Sequence, residues 1–144
     1  MSYDFKLQGG DWSIGPDGDL EKVEDSDKLI QDLLKLLLTQ LGSNKLYPWY
    51  GSPISGSLIG SPYDIEFISS IAINQLQNSI DMLQKLQTEQ TKYQKVTAAE
   101  QIAATKNIDI QRSPEDPRYF LVILEILTRA LTIASTEFTI NPYI

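Results

Sequence analysis

The sequence predicts an α+β fold. Two runs with helical periodicity, a leucine-rich one near residue 30 and a longer one from about residue 64, precede a β-branched, aromatic final third. A short turn-centred segment leads the chain. The expected architecture is an N-terminal hairpin, two main helices (the second long), and a C-terminal three-stranded antiparallel sheet. At 144 residues the chain is expected to form one domain, with enough length to bury a core.

The hairpin is expected within residues 11–24, DWSIGPDGDLEKVE, where short apolar–polar alternations flank Gly-Pro-Asp-Gly. Pro16 presets φ for a turn and Gly18 can take the left-handed position. Glu24, Asp25, Ser26 and Asp27 then offer N-cap and first-turn residues favoured by the helix dipole. Leu29, Ile30, Leu33, Leu34, Leu36, Leu37 and Leu41 follow at helical spacing, and Gly42 fits a C′ stop, giving a helix over about 27–41. The next stretch, SNKLYPWYGSPI, is a turn unusually rich in aromatics, with Pro48, Trp49, Tyr50 and Gly51 at its centre.

Ser61-Pro62-Tyr63-Asp64 reads as a second helix start, with Ile65, Ile68, Ala72, Leu76, Ile80, Leu83 and Leu86 on one face. Unbroken to Lys106, this helix would reach roughly 60 Å. A capping box at Thr97-Ala98-Ala99-Glu100 suggests a break near Val96 and a separate short helix. The narrow apolar stripe near 77–95 leaves two readings open: a projecting segment at about 64–106 that packs on another chain, or a solvated helix with one face on its own domain. Strands are expected at about 108–112, 118–128 and 131–140, the middle one apolar on both faces. No glycine marks the boundary near 129–131.

Composition excludes several chemistries. The chain has neither histidine nor cysteine, so Ser-His-Asp and Cys-His pairs, histidine metal clusters and disulfides are ruled out. The net charge of −7 is uneven. Residues 1–32 hold nine acids and three lysines, and the remainder ten acids and nine bases. Without a basic cluster no nucleic-acid partner is expected. The N-terminus has no apolar h-region, and LIQDLLKLLLTQL is too short to span a bilayer, so a soluble protein with no membrane partner is expected.

Asp17-Gly18-Asp19-Leu20-Glu21 resembles the start of a calcium loop, but Lys22 and Lys28 stand at its sixth and twelfth positions, where Gly and Glu are needed. The segment reads as a solvated turn, with no metal or cofactor expected. Paired carboxylates are the remaining acid–base machinery: Glu115 or Asp116, Glu125 in the apolar strand, and Asp64 or Glu66 at the second helix start. Glu125 either meets an arginine or faces solvent at a sheet edge. Ser113-Pro114-Glu115-Asp116-Pro117-Arg118 forms a stiff elbow that can brace a corner internally or present a fork to a partner.

The order of D-G-D-L-E-x-V (17–23), a helix running into L-L-T-x-x-G (37–42), P-x-Y-G-S (48–52) and an acid-Pro-Arg triplet before strands resembles the baseplate wedge family of contractile phage tails. This family is known for its "lysozyme-like" wedge subunits and is related to the wedge subunit of type VI secretion baseplates. The resemblance covers roughly 11–54 and 108–140. It implies a non-enzymatic structural protein of the virion tail baseplate, assembled in the host cytoplasm in multiple copies around a ring. Implied partners are other baseplate wedge proteins, the tail sheath subunit, and tail tube or hub proteins. The family's Glu-Pro-Arg triplet corresponds to Asp116, Pro117 and Arg118, with Glu115 the alternative acid, and implies partner binding there. The strands imply a template for sheath initiation. The aromatic turn from Gly42 to Gly51 becomes a firm packing corner in which Tyr47, Trp49 and Tyr50 cover the end of the core. The alternative function is a tail-associated glycan hydrolase using paired carboxylates.

Overall fold

The computed structural model describes residues 2–54 and 65–140. The N-terminal segment is more than one hairpin. Short strands β1 (Asp4–Phe5), β2 (Leu7–Gln8), β3 (Asp11–Trp12) and β4 (Lys22–Val23) pair β1 with β4 and β2 with β3, all antiparallel. Gly9 and Gly10, both at positive φ, turn β2 into β3, as two-residue hairpin loops require. The predicted turn forms as well. Gly18 donates to the Gly15 carbonyl at 3.0 Å, Gly18 lies at φ 86°, and Ile14 bridges Leu20. Asp17 accepts the Asp19 N–H at 3.2 Å within that turn.

Helix α1 runs Asp25–Leu38 and buries Leu29, Leu33, Leu36 and Leu37. It stops short of the expected Leu41. Thr39 is the C-cap, its hydroxyl and amide both donating to the Lys35 carbonyl. Beyond it Ser52 donates to Thr39 O at 2.8 Å and Leu41 donates to Ser52 O at 3.2 Å, which pulls the chain into a parallel bridge instead of another helical turn. Gly42 is therefore not the C′ residue, although at φ 83° it does serve the turn that follows. Gln31 fastens the N-terminal strands to α1. It donates to Asp4 Oδ2 and Phe5 O, each at 2.8 Å, and accepts from the Leu7 amide at 2.9 Å. Lys35 adds an ion pair with Asp4.

Helix α2 spans Ile65–Gln90, with Ile68, Ala72, Leu76, Ile80 and Leu83 buried. The expected Ser61–Asp64 start lies outside the described residues. The break comes after Gln90, and Ala98–Glu100 forms a single 3₁₀ turn. The expected helical extent to residue 106 is overturned, because Ile102 already begins a strand. The glutamines of this segment tie the helix down. Gln87 donates to Glu100 O at 2.7 Å and accepts from Ile102 N at 2.9 Å, Gln84 donates to Ile102 O at 3.2 Å, and Gln90 reaches Ser2 Oγ at 3.2 Å. The capping box does not close: the Thr97 hydroxyl goes to Asp25 at 2.6 Å, while Glu100 is buried.

The C-terminal sheet consists of β5 (Ile102–Arg112), β6 (Phe120–Thr128) and β7 (Ile133–Ile140), antiparallel in the order β5-β6-β7. On β6, Phe120, Val122, Leu124 and Ile126 lie at 0% exposure and join the leucines of α1 and α2 in one core. β5 starts earlier than its alternation indicates, because register shifts at Ala103 and Lys106 interrupt the period of two. β6 and β7 are joined without glycine: Leu131 takes the left-handed position at φ 62°. Leu131 N donates to Thr128 O at 3.0 Å, and the Thr128 and Thr132 hydroxyls meet at 2.8 Å.

Candidate protein-docking surfaces

The elbow between β5 and β6 is a closed unit. Ser113 donates to Tyr119 O at 2.9 Å and Tyr119 to Asp116 O at 3.0 Å. Asp116 accepts from the Arg118 amide at 3.0 Å, from Nε at 3.1 Å and from Nη2 at 2.8 Å. The guanidinium holds the Asp116 carboxyl below its usual range, and the carboxylate raises Arg118 in turn. Arg112 donates to Pro117 O at 3.2 Å and lies 5.3 Å from the Phe120 ring, so the proline carbonyl is fixed too. Glu115 is exposed and takes no partner among the described residues. Asp116 is the acid that faces Arg118. The pair is preorganised and outward, with the Arg118 side chain 77% exposed.

The aromatic turn divides. Tyr50 alone packs on the core; burial, with Asp32 and Asp4 nearby, pushes its phenol up. Tyr47 and Trp49 do not cover the core as expected but remain exposed, in edge-on contact with each other at 5.8 Å between centroids. Pro48 is also exposed. Gly51 holds the loop against the helix exit. At φ 123°, a Cβ there would lie 2.7 Å from Thr39 O and 3.0 Å from Leu41 N. Asn44 shapes the approach by accepting the Leu46 and Tyr47 amides at 3.0 and 3.2 Å. No hydrogen bond, ion pair or ring contact joins the Asp116–Arg118 pair to this turn among the described residues.

A second aromatic cluster escaped sequence reasoning. Tyr3, Phe5 and Trp12 form a ladder with centroid spacings of 6.1 and 6.4 Å, all exposed, and Lys22 Nζ sits 4.2 Å from the Tyr3 ring centre. The signal was the alternation Tyr3, Phe5, Leu7 and then Trp12, Ile14, which marks one strand face.

Of the candidate carboxylates, Glu125 lies mid-way along the central strand, Glu115 and Asp116 lie at the elbow before that strand begins, and Glu66 lies in the first turn of α2. Asp64 lies outside the described residues. Burial pushes the Glu100 carboxyl up, but Glu100 is 2% exposed and its oxygens are closed off from solvent. A cleft of about 1180 Å³ lies between α1, the N-terminal strands and β7, with Lys6, Leu7, Glu21, Ile30, Lys35 and Ser135 in its wall. Glu21 is lowered there, chiefly by the Ser13 hydroxyl at 2.8 Å and by Lys6, the reverse of what a general acid needs.

Among the described residues no further strand pairs with either edge of the sheet. β5 and β7 each have β6 as their one strand neighbour, so their outer N–H and C=O rows form no ladder among the described residues. No helix among the described residues is long and apolar enough to cross a membrane. No family model matches the chain, and no curated protein matches it.

Proposed function

We propose that this chain is a structural, non-enzymatic wedge component of a contractile-tail or injection-machine baseplate. In this role it is repeated around a ring, docks neighbouring wedge proteins and initiates the sheath through its C-terminal strands. The observation that carries this reading is a three-stranded sheet with an apolar central strand and two unpaired edges. Such a sheet is a template for strand addition, and a long open edge is a liability unless a partner covers it. The outward Asp116–Arg118 fork adds a rigid feature at one end of that sheet. Its geometry suits a partner carboxylate or backbone carbonyl on the exposed side of the guanidinium. The hydrolase alternative gains no support from a raised carboxyl that is sealed and a cleft acid that is lowered.

Arg118→Ala tests the docking role. Because the pair is outside the core, the variant is expected to melt with the wild type while failing to enter particles when supplied in place of it. Particle assembly at the wild-type level by the variant would remove the elbow from the docking account.

A further inference from the structure

The face of the sheet turned away from the core is unlike an ordinary solvated sheet surface. Leu121, Ile123, Glu125 and Leu127 run along its centre, half-buried, and the three aliphatic residues are not packed against the core. Register puts Gln111 and Thr139 beside Leu121, Asp109 and Glu137 beside Ile123, Asn107 and Ser135 beside Glu125, and Ala104 and Ile133 beside Leu127. Directly opposed residues share a face. None of these twelve is a lysine or arginine and three are acids; the exposed bulge residue Lys106, between Thr105 and Asn107, puts one base at the β5 margin, so the acids still outnumber it. The Asp109, Glu125 and Glu137 carboxylates make no ion pair or side-chain hydrogen bond among the described residues.

From this face we infer a docking site for a cationic amphipathic helix of another polypeptide, with an apolar ridge seated on Leu121, Ile123 and Leu127 and lysines or arginines reaching Asp109, Glu125 and Glu137. Size and charge both select this occupant. Strands are spaced about 4.8 Å apart, so the two flanking acids stand roughly 10 Å apart across the sheet. One helix is about 10 Å wide, and covers a three-stranded face in a single layer. Long basic side chains can lay their stems on the aliphatic ridge while their charges reach the acids on both flanks. A second copy is a poor occupant, because it brings the same three acids to the same face. Nor can residues 55–64 or 141–144 of this chain supply the charge, since neither segment contains a base. This site is separate from the strand edges and the elbow, and stands or falls independently of the baseplate reading.

The test uses the full chain and a synthetic Leu/Lys helical peptide, titrated at low and at high salt, with amide shifts mapped by NMR. Expected is salt-sensitive binding with shifts centred on residues 121–127. The variant Asp109→Lys/Glu125→Lys/Glu137→Lys should keep the wild-type circular dichroism, lose roughly tenfold or more in affinity, and gain binding to a Leu/Glu peptide. A control, Asp17→Lys/Asp19→Lys/Glu24→Lys, should bind the Leu/Lys peptide much as wild type does. Three results would overturn the inference: loss of binding in the control alone, equal binding by the sheet variant, or self-association through residues 121–127. Should the triple variant unfold, the single variant Glu125→Lys is read by the same shifts, and an unchanged affinity there also counts against the site.

Discussion

Gly51 shows how one residue fixes the exit of a helix. Its positive φ and its missing Cβ let Thr39 O come close enough to accept from Ser52, and that bond ends α1 and seats Tyr50 on the core. Gly51→Ala combines a strained φ with a clash against backbone that cannot yield. A destabilisation of about 2 kcal/mol is expected in urea melts, with Tyr50 becoming more solvent-accessible by fluorescence quenching. A change near zero would mean that the loop shifts freely and does not define the helix end. Leu131 is the opposite case: a bulky residue holds a left-handed position that glycine fills at lower cost, at the tip of the β6–β7 turn and 82% exposed. At this scale the sequence was a partial guide. Gly18 announced its turn through Pro16, whereas Leu131 carried no turn signal, and the role of Thr39 depends on Ser52, a partner set only by the folded loop.

Among the elements, α1 holds the N-terminal strands through a small polar clamp. Burial by itself raises the Asp4 carboxyl, but hydrogen bonds from Lys35 and Gln31 and the charge of Lys35 outweigh it and leave the group below its ordinary value. A carboxyl lowered on folding stabilises fully above its unfolded pKa, near about 4. That stabilisation fades as pH falls through the lower folded value. Hydrogen-exchange protection at Phe5–Gln8, taken relative to the intrinsic rate at each pH, is therefore expected to fall selectively in that acid window, before the sheet opens, and Asp4→Asn should flatten the dependence. Protection at Phe5–Gln8 that tracks the β6 amides throughout would contradict the clamp. The periodic elements were legible from residue spacing alone: the α1 leucines, the Ile68-to-Leu83 stripe and one face of β6 point into the core, whereas the second face of β6, expected to be covered as well, is only half-buried. The early start of β5 was hidden because the extra residues Ala103 and Lys106 break its alternation. Gln84, Gln87 and Gln90 carried no signal of their own, since nothing in their spacing says that their amides complete the hydrogen bonding around Glu100, Ile102 and Ser2.

For the whole molecule, one core lies between two helices and one sheet face, and among the described residues no further strand pairs with either edge of that sheet. The acidic N-terminal region, net −6 over residues 1–32, adds a repulsive surface that limits indiscriminate association. The elbow, Asp116 with Arg118, was the site feature most open to sequence reading, because Pro114 and Pro117 enclose the two acids and Arg118 follows at once, which leaves few arrangements. The outer sheet face was not readable before the register of β5 and β7 placed Asp109 and Glu137 beside Ile123. The central claim, that this sheet exists to be extended by another chain, is tested most directly by an electron-microscopy map of the assembled particle. The account predicts this chain beneath the first sheath ring, with a strand from a neighbouring subunit hydrogen-bonded along β5 or β7. A map that places the chain elsewhere, or shows both edges facing solvent in the mature particle, would contradict it.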